Sequence, residues 1–245
     1  ILERVVIQDA EALAAVCDDV EVVVTDDGKQ LLEVRNACVI GTEKFLHSQA
    51  KDRVTRPRLR QDDGSWKEIS YDEAVEYSAQ MLAKAKKPMM FGWSSTNCEA
   101  QSVGNEIAEM SRACCDNTAA TCHGTSLIAV QDIGLPSCTL GEVRNRADRI
   151  IFWGCNPAHA HPRHMSRYSI FPRGFFTGKG QMSRKMIVVD PRITDTAKMA
   201  DVHLQVEQGR DYELLDALRV AFKGEWLPDV VAGIPAEKIR EAADM

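Results

Sequence analysis

The stretch Arg149-Ile150-Ile151-Phe152-Trp153-Gly154-Cys155-Asn156-Pro157 decides the fold. It opens on an apolar run without polar alternation, the pattern of a strand buried on both faces. Gly154 lets a ligand approach the backbone, and Asn156-Pro157 forces a turn. Lys185-Met186-Ile187-Val188-Val189-Asp190 repeats the plan and runs into Pro191-Arg192-Ile193-Thr194. His203-Leu204-Gln205-Val206 is a shorter strand, and Pro88-Met89-Met90-Phe91-Gly92 is another. Helical patterns lie between them. Ser70 and Glu73 form a capping-box pair, followed at helical spacing by Ala74, Ala79, Leu82 and Ala83. Residues 99–113 place Val103, Ile107 and Met110 on one face, and residues 211–222 and 236–244 also read as helices. Apolar strands alternating with helices predict an α/β fold, a parallel sheet flanked by helices. Such sheets bind ligands at the carboxyl ends of their strands.

Working outward, residues 16–36 read as a β-hairpin. Val20-Glu21-Val22-Val23-Val24 is strand-like, Asp26-Asp27-Gly28 is a turn signal, and Leu31 to Val34 returns. Residues 47–70 are polar and basic, contain Pro57 and Gly64, and read as a linker. The expected organisation is a small β-rich unit with its linker over 1–69, then an α/β domain over 70–245. With 245 residues, 44% hydrophobic and 27% charged, the composition is that of an ordinary globular chain. The net charge of −6 gives no support to a nucleic-acid partner. No apolar run reaches the roughly 18–20 residues needed to span a bilayer. The opening residues Ile1-Leu2-Glu3-Arg4 have no signal-peptide character. The eight cysteines, Cys17, Cys38, Cys98, Cys114, Cys115, Cys122, Cys138 and Cys155, therefore read as reduced thiols of a cytoplasmic protein. Cys98 and Cys114 are expected to be small buried hydrophobes.

The strand ends carry the candidate chemistry. An acidic residue in the position of Asp190 suits a ribose hydroxyl or a guanine edge, and Arg192 and Thr194 suit phosphate. Taken singly, an Asp-Pro at a strand end is more commonly a plain turn. Cys122-His123 sets a soft sulfur beside a proton-handling ring. By spacing alone, a buried cysteine beside a structural histidine is the simpler reading. His159, His161 and His164 invite a zinc reading, but no carboxylate or cysteine stands at ligand spacing. Arg163, Arg167 and Arg173 favour a loop ordered against a partner subunit. A Gly-x-Gly-x-x-Gly turn and a P-loop are both absent, which weighs against a stand-alone nucleotide-binding module.

In combination the motifs are more specific. Gly154-Cys155-Asn156-Pro157, Val188-Val189-Asp190-Pro191-Arg192-Ile193-Thr194, Ala200-Asp201 and Gly209-Arg210-Asp211 occur in the order seen in molybdopterin guanine dinucleotide oxidoreductases. Val16-Cys17-Asp18-Asp19, Asn36-Ala37-Cys38, Gly92-Trp93-Ser94, Cys98-Glu99-Ala100-Gln101, Asp116-Asn117-Thr118, Cys122-His123-Gly124 and His159-Ala160-His161-Pro162-Arg163-His164 resemble, more narrowly, the B subunit of formylmethanofuran dehydrogenase. The resemblance covers about residues 14–245. It implies that Gly154, Asn156, Asp190, Arg192, Thr194 and Asp211 descend from loops holding the pterin dinucleotide. It implies that Cys122 descends from the tungsten or molybdenum ligand, with His123 as its catalytic neighbour if the site is active. Cys17 and Cys38 match two of the four thiolates that hold a [4Fe–4S] cluster in the family.

The chain departs from the family twice. The first two cluster cysteines fall on Ala10 and Leu13, and two thiolates do not hold a cubane alone. The family's cofactor cradle also continues beyond the segment matched here. Both departures resemble the bacterial formyltransferase/hydrolase complex, which moves a formyl group to a methanofuran-like carrier and releases formate without a redox step. The leading expectation is a structural B subunit, without bound cofactor, partnered by the A hydrolase-type, C-type and D-type subunits. The alternative is a catalytic subunit carrying molybdopterin guanine dinucleotide with tungsten or molybdenum and a [4Fe–4S] cluster.

Overall fold

The computed structural model describes the backbone of Arg4–Ile7, residues 20–93 and residues 96–245. The structure is mixed α/β, as the strand pattern predicts. It divides into two compact units: the described residues of Ile1–Gln49 with Ser137–Met245, and Ala50–Pro136.

The first unit begins with β1 (Arg4–Ile7), β2 (Val20–Val24) and β3 (Leu31–Arg35), an antiparallel sheet in that order. The expected hairpin is present as β2 and β3; its stretch 16–19 lies outside the described residues. Gly28 turns it with φ +68°, a left-handed conformation that glycine adopts at little cost. Helix α1 (Val39–His47) follows, capped at its N-terminus by the Cys38 sulfur.

The second unit opens within the stretch expected as a linker. Residues 47–70 contain an antiparallel hairpin, β4 (Arg58–Arg60) with β5 (Trp66–Glu68). These strands are short and heavily charged, so they carry no hydrophobic alternation to read. Helix α2 (Tyr71–Lys84) starts on the predicted capping box. Ser70 Oγ accepts from the Glu73 N–H at 3.1 Å, and the Glu73 carboxylate accepts from the Ser70 N–H at 2.7 Å. Strand β6 (Met89–Phe91), helix α3 (Cys98–Ser111) and strand β7 (Cys114–Asp116) make a βαβ unit with parallel strands. Two short helices, α4 (Ala119–Cys122) and α5 (Gly124–Ile133), complete this unit. Cys98 and Cys114 are exposed here, against expectation. A two-stranded sheet is too narrow to bury both of its faces.

The first unit resumes with α6 (Leu140–Arg146), β8 (Arg149–Trp153), α7 (Pro157–Ala160), α8 (Pro162–His164), β9 (Lys185–Val189), α9 (Asp195–Lys198) and β10 (Val202–Leu204). Next come α10 (Asp211–Phe222), the pair β11 (Val230–Val231) and β12 (Ile234–Pro235), and α11 (Ala236–Asp244). The sheet runs β10-β9-β8, all parallel, with β9 in the middle. Alternation along β9 explains its unbroken apolar sequence. Ile187 and Val189 enter a core with Leu204, Leu214 and Ile239, while Met186 and Val188 enter another with Phe152, Met165 and Ile170. Among the described residues no helix is long and apolar enough to cross a membrane.

Candidate functional site

The register aligns Trp153 with Val189 and Val189 with Leu204, so β8, β9 and β10 end at one level. The loops that leave this rim contain most of the residues singled out from the sequence. Gly154 extends the ladder by donating to the Val189 carbonyl at 2.8 Å, then turns with φ +58°. A Cβ placed on it would meet nothing within 4 Å. Its backbone therefore borders open space, and a side chain there would occupy it. Asn156 Oδ1 accepts from Thr196 Oγ1 at 2.6 Å, and Thr196 Oγ1 accepts from the Ala158 N–H at 3.1 Å. Fully buried Thr196 thereby locks the loop after β8 to the loop after β9.

Asp190 is buried, and its Oδ1 accepts from the Arg192 N–H at 2.8 Å, which closes a local Asx turn. Its carbonyl accepts from His203 Nε2 at 2.9 Å. Thr194 is also buried and caps α9 by accepting from the Ala197 N–H at 3.1 Å. Arg192 stays exposed between two clefts. One, of about 250 Å³, is lined by Asn156, His159, Arg192 and Thr194; the other, of about 460 Å³, by Arg192, Gln205 and Glu207. Asp211 opens α10, where a carboxylate is favoured by the helix dipole, and accepts from Trp153 Nε1 at 2.7 Å. Cys155 lies beneath this rim. Burial, then the Asp190 carboxylate, pushes its thiol pKa up, so it is held as a neutral thiol.

The rim brings Gly154, Asn156, Asp190, Arg192, Thr194 and Asp211 to one edge of the sheet. It combines backbone polar groups, a buried carboxylate and an exposed cation, a set suited to a nucleotide. Asp201 is elsewhere, at the opposite end of β9. It accepts from Lys185 Nζ and from the Met186 N–H, each at 2.8 Å, and staples β10 to the sheet. The pairing of His159 with Asp195 leaves no mark in the sequence. His159 Nε2 donates to Asp195 Oδ2 at 2.7 Å, and Lys198 Nζ meets Asp195 Oδ1 at 2.8 Å. Hydrogen bonds from Lys198 first, then His159, lower the Asp195 pKa. The two partners are 36 positions apart, and no local pattern announces such a pair.

Cys122 and His123 belong to the second unit. Cys122 ends α4, and His123 breaks the helix before α5 with φ −128°. Both are exposed. Cys38 is buried, and its Sγ accepts from the Gly41 N–H at 3.4 Å. Cys17, Ala10 and Leu13 lie outside the described residues. Among the described residues, no three His, Cys, Asp or Glu side chains converge as a metal site. In the His-rich run, Arg163 donates to the Asn36 carbonyl at 2.8 Å. His164 Nδ1 lies 3.1 Å from Ser169 Oγ.

Comparison with known proteins adds to this geometry. The family model described as molybdopterin oxidoreductase matches residues 53–226. The chain is 53% identical over 231 residues to the B subunit of tungsten-containing formylmethanofuran dehydrogenase 2 from Methanocaldococcus jannaschii. That match covers 94% of this chain and 53% of the relative, so the chain spans about half the length of the curated protein it matches. The fold is similar to acetylene hydratase from Pelobacter acetylenicus, with a TM-score of 0.60 and 19% identity over 98% of this chain and 38% of that one. It is also similar to a chain of the formyltransferase/hydrolase complex from Methylorubrum extorquens. There the TM-score is 0.50 and the identity 21%, over 71% of this chain and 45% of that one.

Proposed function

Because the chain belongs to the molybdopterin oxidoreductase family, we propose that it serves in a formylmethanofuran dehydrogenase-like one-carbon complex as a B-type subunit whose strand-end loops hold a pterin dinucleotide. The observation that carries the reading is the shared rim of β8, β9 and β10. Its residues fit the nucleotide end of that group. Open space above Gly154 admits a ligand against the backbone, buried Asp190 fixes the turn that carries Arg192, and Arg192 supplies a cation for phosphate. Trp153 and Asp211 brace the edge of the rim. Cys122 offers the soft sulfur that tungsten or molybdenum takes, and His123 a ring nitrogen to hold a proton beside it. When bound, the metallopterin supplies two-electron chemistry between carbon dioxide and the formate level. The similarity to a tungsten-containing relative supports this reading over a subunit without cofactor. The partners would be the A, C and D-type subunits and a methanofuran-like carrier, in the cytoplasm.

A second reading rests on Ala10 and Leu13, which stand where the family has cluster cysteines. In it, the chain is a structural subunit of a formyltransferase/hydrolase complex, without metallopterin. Metal analysis of the complex purified with its partner subunits separates the two. Stoichiometric tungsten or molybdenum is expected. An intact complex free of both metals would reject the first reading and leave the second.

A further inference from the structure

The loop over 170–178 presents two phenylalanine rings to solvent and holds them there. Phe175 is 82% exposed and Phe176 62%. Exposed aromatic rings on a slack loop would fold back onto the protein. This loop has no such freedom. Phe175 donates its N–H to Asn145 Oδ1 at 3.0 Å, and Phe176 donates its N–H to the Asn145 carbonyl at 2.9 Å. Thr177 Oγ1 donates to the Arg144 carbonyl at 3.0 Å. Gly174 admits no side chain, because a Cβ there would lie 2.0 Å from the Arg144 carbonyl oxygen. From below, the buried Arg184 guanidinium grips the carbonyls of Ile170 and Pro172.

The rings are also ordered against each other. Phe175 and Phe176 meet edge-on, with centroids 4.8 Å apart and planes at 75°. The Arg146 guanidinium lies over the Phe176 ring at 4.9 Å. A cleft of about 390 Å³ opens beside them, floored by Gly141 and Asn145. The rim is cationic. Arg146 lines the cleft together with the ionised Glu142, which closes the capping box of α6 by accepting from the Thr139 N–H at 2.8 Å; Arg144 and Arg173 are exposed close by, so positive charge is in excess around the rings. This cationic patch sits on a chain of net charge −6. Aromatic and arginine side chains are the types that dominate binding energy, and pre-ordered ones lose the least entropy when covered.

We propose that Phe175, Phe176 and Arg146 form a docking site for another subunit of the same complex, one that offers an apolar pocket rimmed by carboxylates. The site rests on the reading of the chain as a subunit of an assembly, but not on whether it carries a metallopterin. A concave cleft between polar helix-cap groups suits an inserted protein side chain and is a poor match for a flat lipid surface. Charge complementarity sets the character of the partner: its rim is acidic.

The test is the Phe175→Ser/Phe176→Ser double variant, with Arg146→Glu as an independent second variant, each produced together with the partner subunits. Both leave the Asn145 and Arg184 brackets in place. The thermal midpoint of the variant chain alone should stay close to that of the parent. Association with partner subunits should weaken about tenfold or more for each variant, and tungsten or molybdenum content should not change. Oxidative footprinting should label both rings in the isolated chain and protect them in the assembly. Unchanged association overturns the proposal while leaving the functional reading intact. Protection already present in the isolated chain overturns it in favour of cover from the chain itself. So does binding to phosphatidylserine vesicles that the double variant abolishes. A parent chain that purifies without any partner subunit defeats both the functional reading and this one.

Discussion

Arg184 is a buried cation that meets no carboxylate among the described residues. Each of its five guanidinium N–H groups finds an oxygen: the carbonyls of Arg144, Ala147, Ile170 and Pro172, and Thr177 Oγ1. Two of those carbonyls close the C-terminal turn of α6, where the helix dipole is negative and favours a cation. Burial, then nearby Arg144, lowers its pKa, yet it stays below its partners as a charged clamp. Arg184→Met should cost about 3 kcal/mol or more, because it leaves several buried carbonyls unpaired. Arg184→Lys should recover only part, since an ammonium has fewer donors and no fork. Urea unfolding measures both, and a loss under about 1 kcal/mol for the Met variant would contradict the clamp. His164 is the acid-sensitive residue of the same region. It packs edge-on against Phe152 at 5.9 Å, and burial, then His161, holds its pKa below the ordinary 6.5. Unfolding frees the ring to take a proton at its ordinary value, so the unfolded chain binds more protons just below pH 6.5. Its contribution is complete above that pH and is lost as the pH falls toward the lowered value. The melting midpoint should therefore drop between about pH 7.5 and about 5.5, and His164→Gln should flatten that drop. A variant with the same pH slope as the parent would assign the sensitivity to another group.

Helix α10 shows what an element's sequence discloses and what it withholds. Its bounds match the expectation of 211–222, because Gly209 ends the preceding loop and the apolar residues recur at helical spacing. Leu214, Ala217, Leu218 and Ala221 form the buried face, and Leu214 is wholly inaccessible between the sheet and α11. Leu214→Ala should cost about 3–5 kcal/mol by chemical denaturation. A cost under about 1 kcal/mol would mean that the site collapses around the deletion. Strand β9 is equally legible, since an apolar run buried on both faces leaves no other reading. Strand β7 is not, because Cys114, Cys115 and Asp116 carry no strand signature and only pairing with β6 makes them one. Helices α5 and α6 escape the sequence for the same kind of reason: α5 lacks a marked apolar face, and α6 is short and charged. The rim positions follow from the rule that ligands gather at strand ends. Its internal locks do not, since Thr196 with Asn156 and His159 with Asp195 join residues far apart in the chain.

At the scale of the molecule, the two units differ in how well each buries its apolar side chains. The first unit has a three-stranded parallel sheet with cores on both faces, in which Val188, Leu204, Leu214 and Ile239 are wholly inaccessible. The second unit has the same sequence rhythm but, among the described residues, only two parallel strands. Met110 is 85% exposed and Ile133 83%. Between α2 and α3 lies an apolar cleft of about 550 Å³, lined by Val75, Ala79, Leu82, Ile107 and Met110. Each large side chain left in water forgoes about 1.5–3 kcal/mol of transfer free energy. Helices held by so few buried contacts open at low free-energy cost. In the 245-residue chain by itself, amides of α2, β6, α3 and β7 should exchange with deuterium well before those of β9 and α10. The dye ANS should bind, and Met110→Asp should reduce that binding without slowing the exchange of β9. Equal protection in β6 and β9 would refute the contrast, because a two-stranded sheet cannot match the shielding of a strand buried on both faces unless further apolar surface is covered.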